Sequence, residues 1–358
     1  MPTTIGTLLV CWSKDTWHGL PACADEPTIQ GEHGGRRLST SAPILITGAA
    51  GFIGSHVAHA LLARGDRVVG VDNLDPFYDE SLKRQNLALL ALSKGFEHVL
   101  VDIRDANAMR DVFARAKPAS VIHLAAKAGV RPSIADPAGY MHTNIVGTMN
   151  VLEAARGSDC RRIIAASSSS VYGNLASVPF REDADVSAPI SPYAASKRAM
   201  ELACFSHHHL HKVPIACLRF FTVFGPRQRP DLAISLFLNK ISRGESIPFF
   251  GDGSSSRDYT YIDDIVAGVI AAHDRIGSLG GCRIWNLGGN KPYSLNEMVR
   301  TIESVVGKSA NLDRKPMQAG DVERTFADLT RSTADLGYLP RTTLAEGIRR
   351  QWEWMKSR

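Results

Sequence analysis

The stretch Ile44–His56, ILITGAAGFIGSH, decides the fold of this chain. A short apolar run leads through Gly48, Gly51 and Gly54 into Ser55–Gly65, where apolar residues recur at helical spacing. Glycines at such a junction permit a tight turn, let the backbone approach a pyrophosphate and pack the helix closely on the strand. The helix start also offers free N–H groups and the positive end of its dipole to an anion. The pattern predicts a strand–turn–helix unit that binds a dinucleotide.

An acidic residue follows the glycine turn at the expected distance. Asp72 ends the next apolar run, Arg67–Asp72. Its carboxylate would accept hydrogen bonds from the adenosine ribose hydroxyls and repel a 2′-phosphate, which favours NAD over NADP. The alternative is a plain strand–turn–helix junction in a flavodoxin-like protein. The acid and the position of the turn in the first βα unit together favour the dinucleotide site.

Strands and helices alternate from Pro43 to Phe220. The predicted strands are Ile44–Thr47, Arg67–Asp72, Phe96–Asp102, Ser120–Ala125, Arg161–Ser168 and Pro214–Phe221. The predicted helices after the first are Asp105–Ala116, Pro137–Arg156 and Ser191–His211. This alternation predicts an α/β fold, a Rossmann-type doubly wound parallel sheet over residues 42–220. A smaller C-terminal substrate-binding lobe, interleaved with the end of the sheet, is predicted over 221–358, and residues 1–41 are predicted to be a disordered extension.

The composition is that of an ordinary globular protein. The 358 residues are 44% hydrophobic and carry a net charge of +5, with scattered basic residues, which favours small anionic ligands over nucleic acid. The six cysteines form no CxxC pair, which predicts free thiols in a reducing compartment. Apolar runs fall short of the roughly 20 residues that a membrane span needs, and the N-terminus lacks a basic signal-peptide start. We therefore expect a cytoplasmic protein.

The motif SPYAASK places Tyr193 and Lys197 four residues apart, on one face of a predicted helix. A tyrosine with its ordinary pKa near 10 is a poor base at neutral pH, and a nearby ammonium favours the phenolate. Taken alone, the two residues could equally be an exposed pair on an amphipathic helix. The serine-rich stretch AASSSSVYG, Ala165–Gly173, lies upstream between an apolar run and VYG, which argues against a flexible linker. These residues together predict a catalytic site.

From Ile44 onward, the chain resembles the extended short-chain dehydrogenase/reductase family. Within its nucleotide-sugar epimerases it is most similar to the UDP-glucuronate 4-epimerase branch. The resemblance rests on ITGAAGFIGSH, VDNLDPFYD, HLAAKAGVRPS, SSSSVYG, SPYAASK, LRFFTVFGPRQRPD, FFGDGSSSRDYTYIDDI and PMQAGDVERTFAD. It implies a Rossmann domain with a smaller substrate lobe, a tightly bound NAD and a UDP-sugar substrate.

The resemblance also implies roles for particular residues. Tyr193 would be the catalytic base, Lys197 its partner and Ser168 the hydroxyl that binds the reacting 4-OH. The expected NAD-binding residues are Gly48, Gly51, Phe52, Ile53, Gly54, Asp72, Asn73, Asp102, Ile103, Leu124, Ala125, Ala126, Lys127, Asn144, Tyr193 and Lys197. The expected substrate-binding residues are Ser168, Ser169, Ser170, Thr222, Arg227, Arg229, Phe249, Arg257 and Asp321.

Two serines distinguish the reactions of the family. Related 4,6-dehydratases carry an Asp-Glu pair directly after the reacting hydroxyl residue, and related decarboxylases carry a glutamate before Val-Tyr-Gly. Here those positions are Ser169 and Ser170, which favours epimerisation over both alternatives.

The sugar is indicated by Thr222 and Arg229, which match the residues that hold the sugar carboxylate in glucuronate epimerases. The alternative is that Arg227 and Arg229 stabilise a loop or bind the diphosphate in a UDP-glucose/UDP-galactose 4-epimerase.

The two long predicted helices bear on dimer formation and on metal binding. Their apolar faces, on Pro137–Arg156 and Ser191–His211, predict the four-helix homodimer interface common in the family. The run HHHLH, His207–His211, shows no partner cysteine or acid in the sequence nearby. We interpret it as a solvated helix face or a dimer edge and predict no metal site.

Overall fold

We describe a computed structural model of the chain, over residues 42–289, 291–316 and 322–358. The predicted extension, residues 1–41, and the predicted substrate ligand Asp321 lie outside the described residues.

The described strands and helices are numbered in chain order. The strands are β1 (Ile44–Thr47), β2 (Val68–Asp72), β3 (Phe96–Leu100), β4 (Ser120–His123), β5 (Ile163–Ser168), β6 (Ile215–Phe220), β7 (Thr222–Phe224), β8 (Ser246–Phe250), β9 (Ser256–Tyr261), β10 (Cys282–Leu287), β11 (Pro292–Ser294) and β12 (Asn311–Lys315). The α-helices are α1 (Phe52–Arg64), α2 (Glu80–Ala91), α3 (Ala106–Ala116), α4 (Val130–Ala135), α5 (Pro137–Met141), α6 (Gly147–Arg156), α7 (Pro192–His211), α8 (Ala233–Ser242), α9 (Ile262–Leu279), α10 (Leu295–Val306), α11 (Thr330–Leu336) and α12 (Leu344–Lys356).

The central sheet is parallel and has the order β10-β6-β5-β4-β1-β2-β3. Its five inner strands, β1, β2, β4, β5 and β6, are buried along their whole length, the pattern that parallel sheets require, while the edge strands β3 and β10 are partly exposed. Helices α1 and α9 cover one face, and α3, α6 and α7 cover the other. This arrangement confirms the predicted α/β, Rossmann-type doubly wound fold.

The direction of winding reverses at β1. The chain runs outward from β1 through β2 to β3 and then returns to β4 on the other side of β1. In open α/β sheets, ligands bind in the crevice outside the carboxyl ends of the strands at such a point. The loops after β1, β4 and β5 therefore surround the expected site.

The last part of the chain adds two small sheets, β11-β9-β7 and β12-β8. It also returns to the central sheet, because β10 pairs in parallel with β6. The division into residues 42–220 and 221–358 stays a prediction.

Two local predictions differ from the structure. The predicted helix Pro137–Arg156 consists of α5 and α6 joined by a π-helical turn at His142–Val146, a feature frequent at functional sites. The predicted strand Phe96–Asp102 ends at Leu100, and the Asp102 side chain accepts a hydrogen bond from the Arg104 backbone N–H in the turn that follows.

Candidate active site

The glycine turn forms a backbone cradle at the start of α1. Gly48 has a φ of +74°, and a Cβ there would lie 2.8 Å from the backbone N of Ala125. A Cβ on Gly54 would overlap the carbonyl oxygen of Gly48. Gly51 precedes the helix without a side-chain cap, which leaves the first N–H groups of α1 to an anion. The turn therefore fits a pyrophosphate that approaches the bare backbone.

Asp72 is fixed at the carboxyl end of β2. Its carboxylate accepts hydrogen bonds from the backbone N–H groups of Ala50, at 3.0 Å, and Leu74, at 2.8 Å. The acid is 7% exposed and joins the glycine turn to the loop after β2. It lies where a dinucleotide fold needs an acceptor for the ribose hydroxyls.

The expected adenine-side residues lie together after β2 and β3. The exposed Asn73 donates to Asp102 at 2.9 Å, and Arg104 forms an ion pair with Asp102 at 2.6 Å. The hydrogen bonds from Arg104 lower the pKa of Asp102 to about 2. Ile103 is buried, and it lies so close to Gly147 that a Cβ there would approach its Cδ1 to 2.6 Å.

The loop after β4 is tied to the neighbouring helices. Leu124, Ala125, Ala126 and Lys127 are all half-buried in it. Asn144, in the π-helical turn, accepts from the backbone N–H of Lys127 and donates to its carbonyl and to the Ser196 hydroxyl, each at 2.9 Å. The Lys127 ammonium pairs with Asp136 at 2.7 Å. In α1, Phe52 is buried and Ile53 half-buried.

Helix α7 presents the predicted catalytic pair. Ser191 caps the helix by accepting from the Ala194 N–H at 3.1 Å, and Pro192 occupies its first turn. Tyr193 and Lys197 then lie one turn apart and face the end of β5. The Lys197 ammonium is 3% exposed and donates to the Ala166 carbonyl at 2.8 Å. Burial lowers its pKa to about 8.

Burial raises the pKa of Tyr193 above its ordinary value, which opposes its use as a base. The opposing effects come from a hydrogen bond with Ser168 and from the positive charge of Arg229. From the sequence, we expected Lys197 to supply this effect. In the structure the Lys197 ammonium donates to a backbone carbonyl of β5. The hydrogen bond with Ser168 is the larger of the two effects that lower the pKa of Tyr193.

The four serines form the end of β5 and the 3-10 turn after it. Ser168 caps the turn Ser169–Tyr172 by accepting from the Ser170 N–H at 3.2 Å, and its hydroxyl oxygen also lies 3.2 Å from the Ser170 hydroxyl. The Ser170 hydroxyl can donate in this contact, which leaves the Ser168 proton for Tyr193. Ser169 and Ser170 are half-buried. The two positions after Ser168 therefore offer hydroxyl groups beside Tyr193.

Arg229 lies near enough to Tyr193 for its positive charge to lower the pKa of the tyrosine. Its guanidinium donates to the Ala128 carbonyl at 3.3 Å, pairs with Asp231 at 2.6 Å and stacks on Phe77 at 4.7 Å. Thr222 is half-buried at the start of β7. Arg229 is thus a cation held in place in the neighbourhood of Tyr193.

Arg227, an expected substrate ligand, contacts helix α1, and its role as a ligand stays a prediction. It has a φ of +66°, and its guanidinium lies against the buried His56, with Nη2 2.9 Å from Nδ1 and Nε 3.1 Å from Nε2. His56 Nε2 also lies 2.9 Å from the Pro226 carbonyl.

Phe249 was expected to flank the base of the nucleotide, but the structure buries it. It is 1% exposed in the core and lies under Arg314 at 5.0 Å. The next residue, Phe250, is half-buried and lies 4.7 Å from the Arg131 guanidinium. Side chains alternate along β8, so one residue of register decides which ring faces a ligand.

The expected diphosphate ligand, Arg257, is half-buried in β9. It donates to the carbonyls of Ser256, at 3.0 Å, and Glu323, at 3.4 Å. These contacts hold Arg257 against its own strand and against Glu323, and its role as a substrate ligand stays a prediction.

A buried ion pair between Glu201 and Arg219 was not predicted from the sequence. Glu201 accepts from Arg219 at 2.8 and 2.9 Å and from the Ser167 hydroxyl at 2.6 Å. Both charged side chains are 1% exposed. Glu201 follows Lys197 at the same spacing that separates Lys197 from Tyr193, so extending the helical pattern by one turn would have found it.

The fold and the glycine turn together define a dinucleotide-binding protein of the Rossmann class. Residues 44–288 match the NAD dependent epimerase/dehydratase family, and the chain belongs to that family. This confirms the resemblance seen in the sequence. In the described residues, no helix is long and apolar enough to cross a membrane.

Three members of the family are similar to this chain in sequence or structure. A UDP-glucuronate 4-epimerase of Thermodesulfobacterium geofontis is 41% identical over 87% of this chain and 95% of its own. The crystal structure of UDP-glucuronic acid 4-epimerase from Bacillus cereus, with UDP-glucuronic acid and NAD, superimposes with a TM-score of 0.83 at 35% identity, covering 88% of this chain and 99% of its own. A UDP-glucose 4-epimerase of Thermotoga maritima, with UDP-glucose, gives 0.80 at 31% identity over 88% and 99%.

We predict that the Glu201–Arg219 pair fixes α7 on the sheet. The Arg219→Leu variant should lose up to about 3–5 kcal/mol of unfolding free energy, because the buried carboxylate loses two of its hydrogen bonds and keeps those from Ser167 and the half-buried Arg198. The double variant Glu201→Leu/Arg219→Leu should lose less, since the buried carboxylate is also removed. Urea unfolding measures both. Arg181→Leu, which removes an exposed pair with Asp183, is the control and should change little. A double variant at least as unstable as Arg219→Leu would contradict this prediction.

Proposed function

We propose that this protein is an NAD-dependent UDP-glucuronate 4-epimerase, which interconverts UDP-glucuronate and UDP-galacturonate through a transient 4-keto intermediate. The observation that carries the proposal is the arrangement around Tyr193, which has Ser168 and Arg229 as its electrostatic partners, and serines at positions 169 and 170. A tyrosine base, a hydroxyl ligand and a fixed cation are the groups that oxidation at C4 of a sugar acid requires.

The family and the glycine cradle support NAD as the resident cofactor. The turn at Gly48, Gly51 and Gly54 would hold its pyrophosphate, and Asp72 its adenosine ribose. Asp102 and Ile103 would lie at the adenine, and the loop from Leu124 to Lys127 would lie along the phosphates and the nicotinamide ribose. When bound, NAD accepts the C4 hydride and returns it, so that no net oxidation occurs.

Proton transfer falls to Tyr193. Its phenolate takes the proton of the sugar 4-OH and returns it when the ketone is reduced. Ser168 hydrogen-bonds with Tyr193 and would also bind the reacting oxygen of the sugar. The same hydroxyl would therefore contact both the base and the substrate. Lys197, fixed by the Ala166 carbonyl, would hold the nicotinamide ribose beside them. Turning of the 4-keto sugar in the pocket then exposes its other face.

Arg229 would bind the C6 carboxylate, with Thr222 beside it. After oxidation at C4 the substrate is a β-keto acid, which loses CO2 readily when the C5–C6 bond aligns with the carbonyl π system. A bidentate guanidinium holds a planar carboxylate in one orientation and keeps that bond out of alignment. The contacts of Arg229 with Ala128 and Phe77 supply rigidity for this task, and Asp231 would have to share the guanidinium with the substrate or leave it.

A UDP-glucose/UDP-galactose 4-epimerase is the second candidate, because a UDP-glucose 4-epimerase is also similar in structure. Glucose carries a neutral hydroxymethyl group at C6, and such a substrate has no need of a fixed cation there. The position of Arg229 favours the sugar acid.

We also propose a cytoplasmic homodimer that does not bind nucleic acid. Exposed apolar side chains on α6 and α7, among them Met149, Leu202 and Phe205, would be buried between two copies. The molar mass in solution, from light scattering, tests the dimer.

Product chromatography tests the proposed reaction. Purified protein is incubated separately with UDP-glucuronate and UDP-glucose, and Tyr193→Phe serves as the inactive control. Formation of UDP-galacturonate without added NAD is the expected result. Turnover of UDP-glucose alone would overturn the proposal and favour the second candidate.

We predict that Ser168→Ala shifts the pH dependence of kcat/KM. The hydrogen bond from Ser168 lowers the pKa of Tyr193, so its removal raises that pKa. Less phenolate is then present at a given pH, and the acid limb of the profile moves to higher pH. Ser169→Ala, which leaves this hydrogen bond in place, is the control. Identical acid limbs in the wild type and in Ser168→Ala would contradict the assigned partnership.

We predict that Arg229→Ala changes the fate of the 4-keto intermediate. More of it should lose CO2, so the ratio of UDP-4-keto-pentose to UDP-galacturonate rises, and each decarboxylation leaves one NADH on the enzyme. Arg227→Ala should leave this ratio unchanged, because Arg227 lies on His56. Product analysis and NADH absorbance measure the two quantities. Equal ratios in the two variants would remove the proposed role of Arg229.

A further inference from the structure

The C-terminal end of α7 carries a second cluster of functional side chains. His207 and His211 lie one turn apart there, with ring centroids separated by 4.7 Å. The cluster begins fourteen residues after Tyr193, roughly 20 Å along the helix. It is therefore separate from the site described above.

His207 is buried without a hydrogen-bond partner for one of its ring nitrogens. The residue is 4% exposed, and among the described residues its Nε2 has no partner. A buried polar atom normally finds a partner, because its desolvation is otherwise uncompensated. The sequence suggested a solvated helix face for this histidine, and the structure differs. The lone nitrogen indicates that a ligand belongs here.

An acid on the neighbouring helix completes the cluster. Glu153 of α6 joins His207 and His211, and one ligand atom from each of the three residues lies within 4.8 Å of the others. Arg156 holds the carboxylate through Oε2, with Nε at 2.9 Å and Nη2 at 2.8 Å. Both contacts are to one oxygen, which leaves Oε1 as a metal-ligand atom.

We propose that Glu153, His207 and His211 bind a divalent transition-metal ion of the zinc type, which joins α6 to α7. Two imidazoles and a carboxylate are a donor set that Zn²⁺ takes with a water molecule in the fourth position. Two ligands of one such ion lie at most about 4.2 Å apart, since each bond is about 2.1 Å long. Glu153 and His211 are exposed, and small rotations of their side chains close the remaining distance.

The other histidines of the run do not belong to the cluster, whose members are Glu153, His207 and His211. His208 lies outside the cluster, because its Nδ1 lies 2.7 Å from the Val213 carbonyl.

Zinc titration of the untagged full-length protein tests the site. The protein is stripped with a chelator, dialysed and titrated with Zn²⁺ in a calorimeter, and its melting temperature is recorded with and without the metal. We expect one ion per chain and a higher melting temperature, because the ion binds the folded state. Neither measurement depends on the proposed enzymatic activity.

His211→Ala and Glu153→Gln are the test variants, since both residues are exposed and the fold should tolerate the change. Each should weaken Zn²⁺ binding by at least the roughly 10–100-fold that loss of an outer-shell partner costs. His209→Ala, an exposed histidine on the same helix outside the cluster, is the matched control and should bind as the wild type does. Absence of stoichiometric binding by the wild type, or equal affinities of His211→Ala and His209→Ala, would overturn the proposal.

Discussion

The fixation of α7 on the end of β5 is the interaction on which the rest of the site depends. Lys197 binds a carbonyl of the strand, and Glu201, one turn later, binds the hydroxyl of Ser167 and the guanidinium of Arg219. These polar contacts are buried, so each remains strong only while the others exclude water. They hold the tyrosine of the helix near the serine at the strand end.

This fixation has an electrostatic cost at Tyr193. The environment that aligns the tyrosine also raises its pKa, and the protein opposes that effect with one hydrogen bond and one cation. Ser168 and Arg229 both belong to the proposed substrate site. The groups that would recognise the sugar are thus the same groups that make the base usable.

The local parts of the fold and site could be predicted from sequence. The stretch Ile44–His56 contains its strand, turn and helix within one short segment, and Tyr193 and Lys197 share a helix face by spacing alone. Contacts between distant segments could not be predicted in this way. Glu153 meets His207 across two helices, and nothing in the sequence near either residue indicates the other.

Side-chain direction was the second limit. Arg227 and Arg229 lie two residues apart in one loop, but their guanidinium groups have different partners, His56 for Arg227 and Asp231 for Arg229. Arg227 also has a positive φ. Phe249 and Phe250 differ by one position of strand register, which sends one ring into the core. Such choices depend on tertiary packing, and composition and spacing do not contain them.

Asp231, which pairs with Arg229, would compete with a substrate carboxylate for the guanidinium. In the free protein a carboxylate of the chain already occupies the guanidinium, and its side chain is 46% exposed and able to leave. If Arg229 binds the sugar carboxylate as proposed, a sugar acid would have to displace or share this anion, whereas a neutral sugar could enter with the pair intact. Selection between the two substrates would then depend on two carboxylates that compete for one arginine. The reach of Asp231 would be as much a part of that selectivity as Arg229 itself.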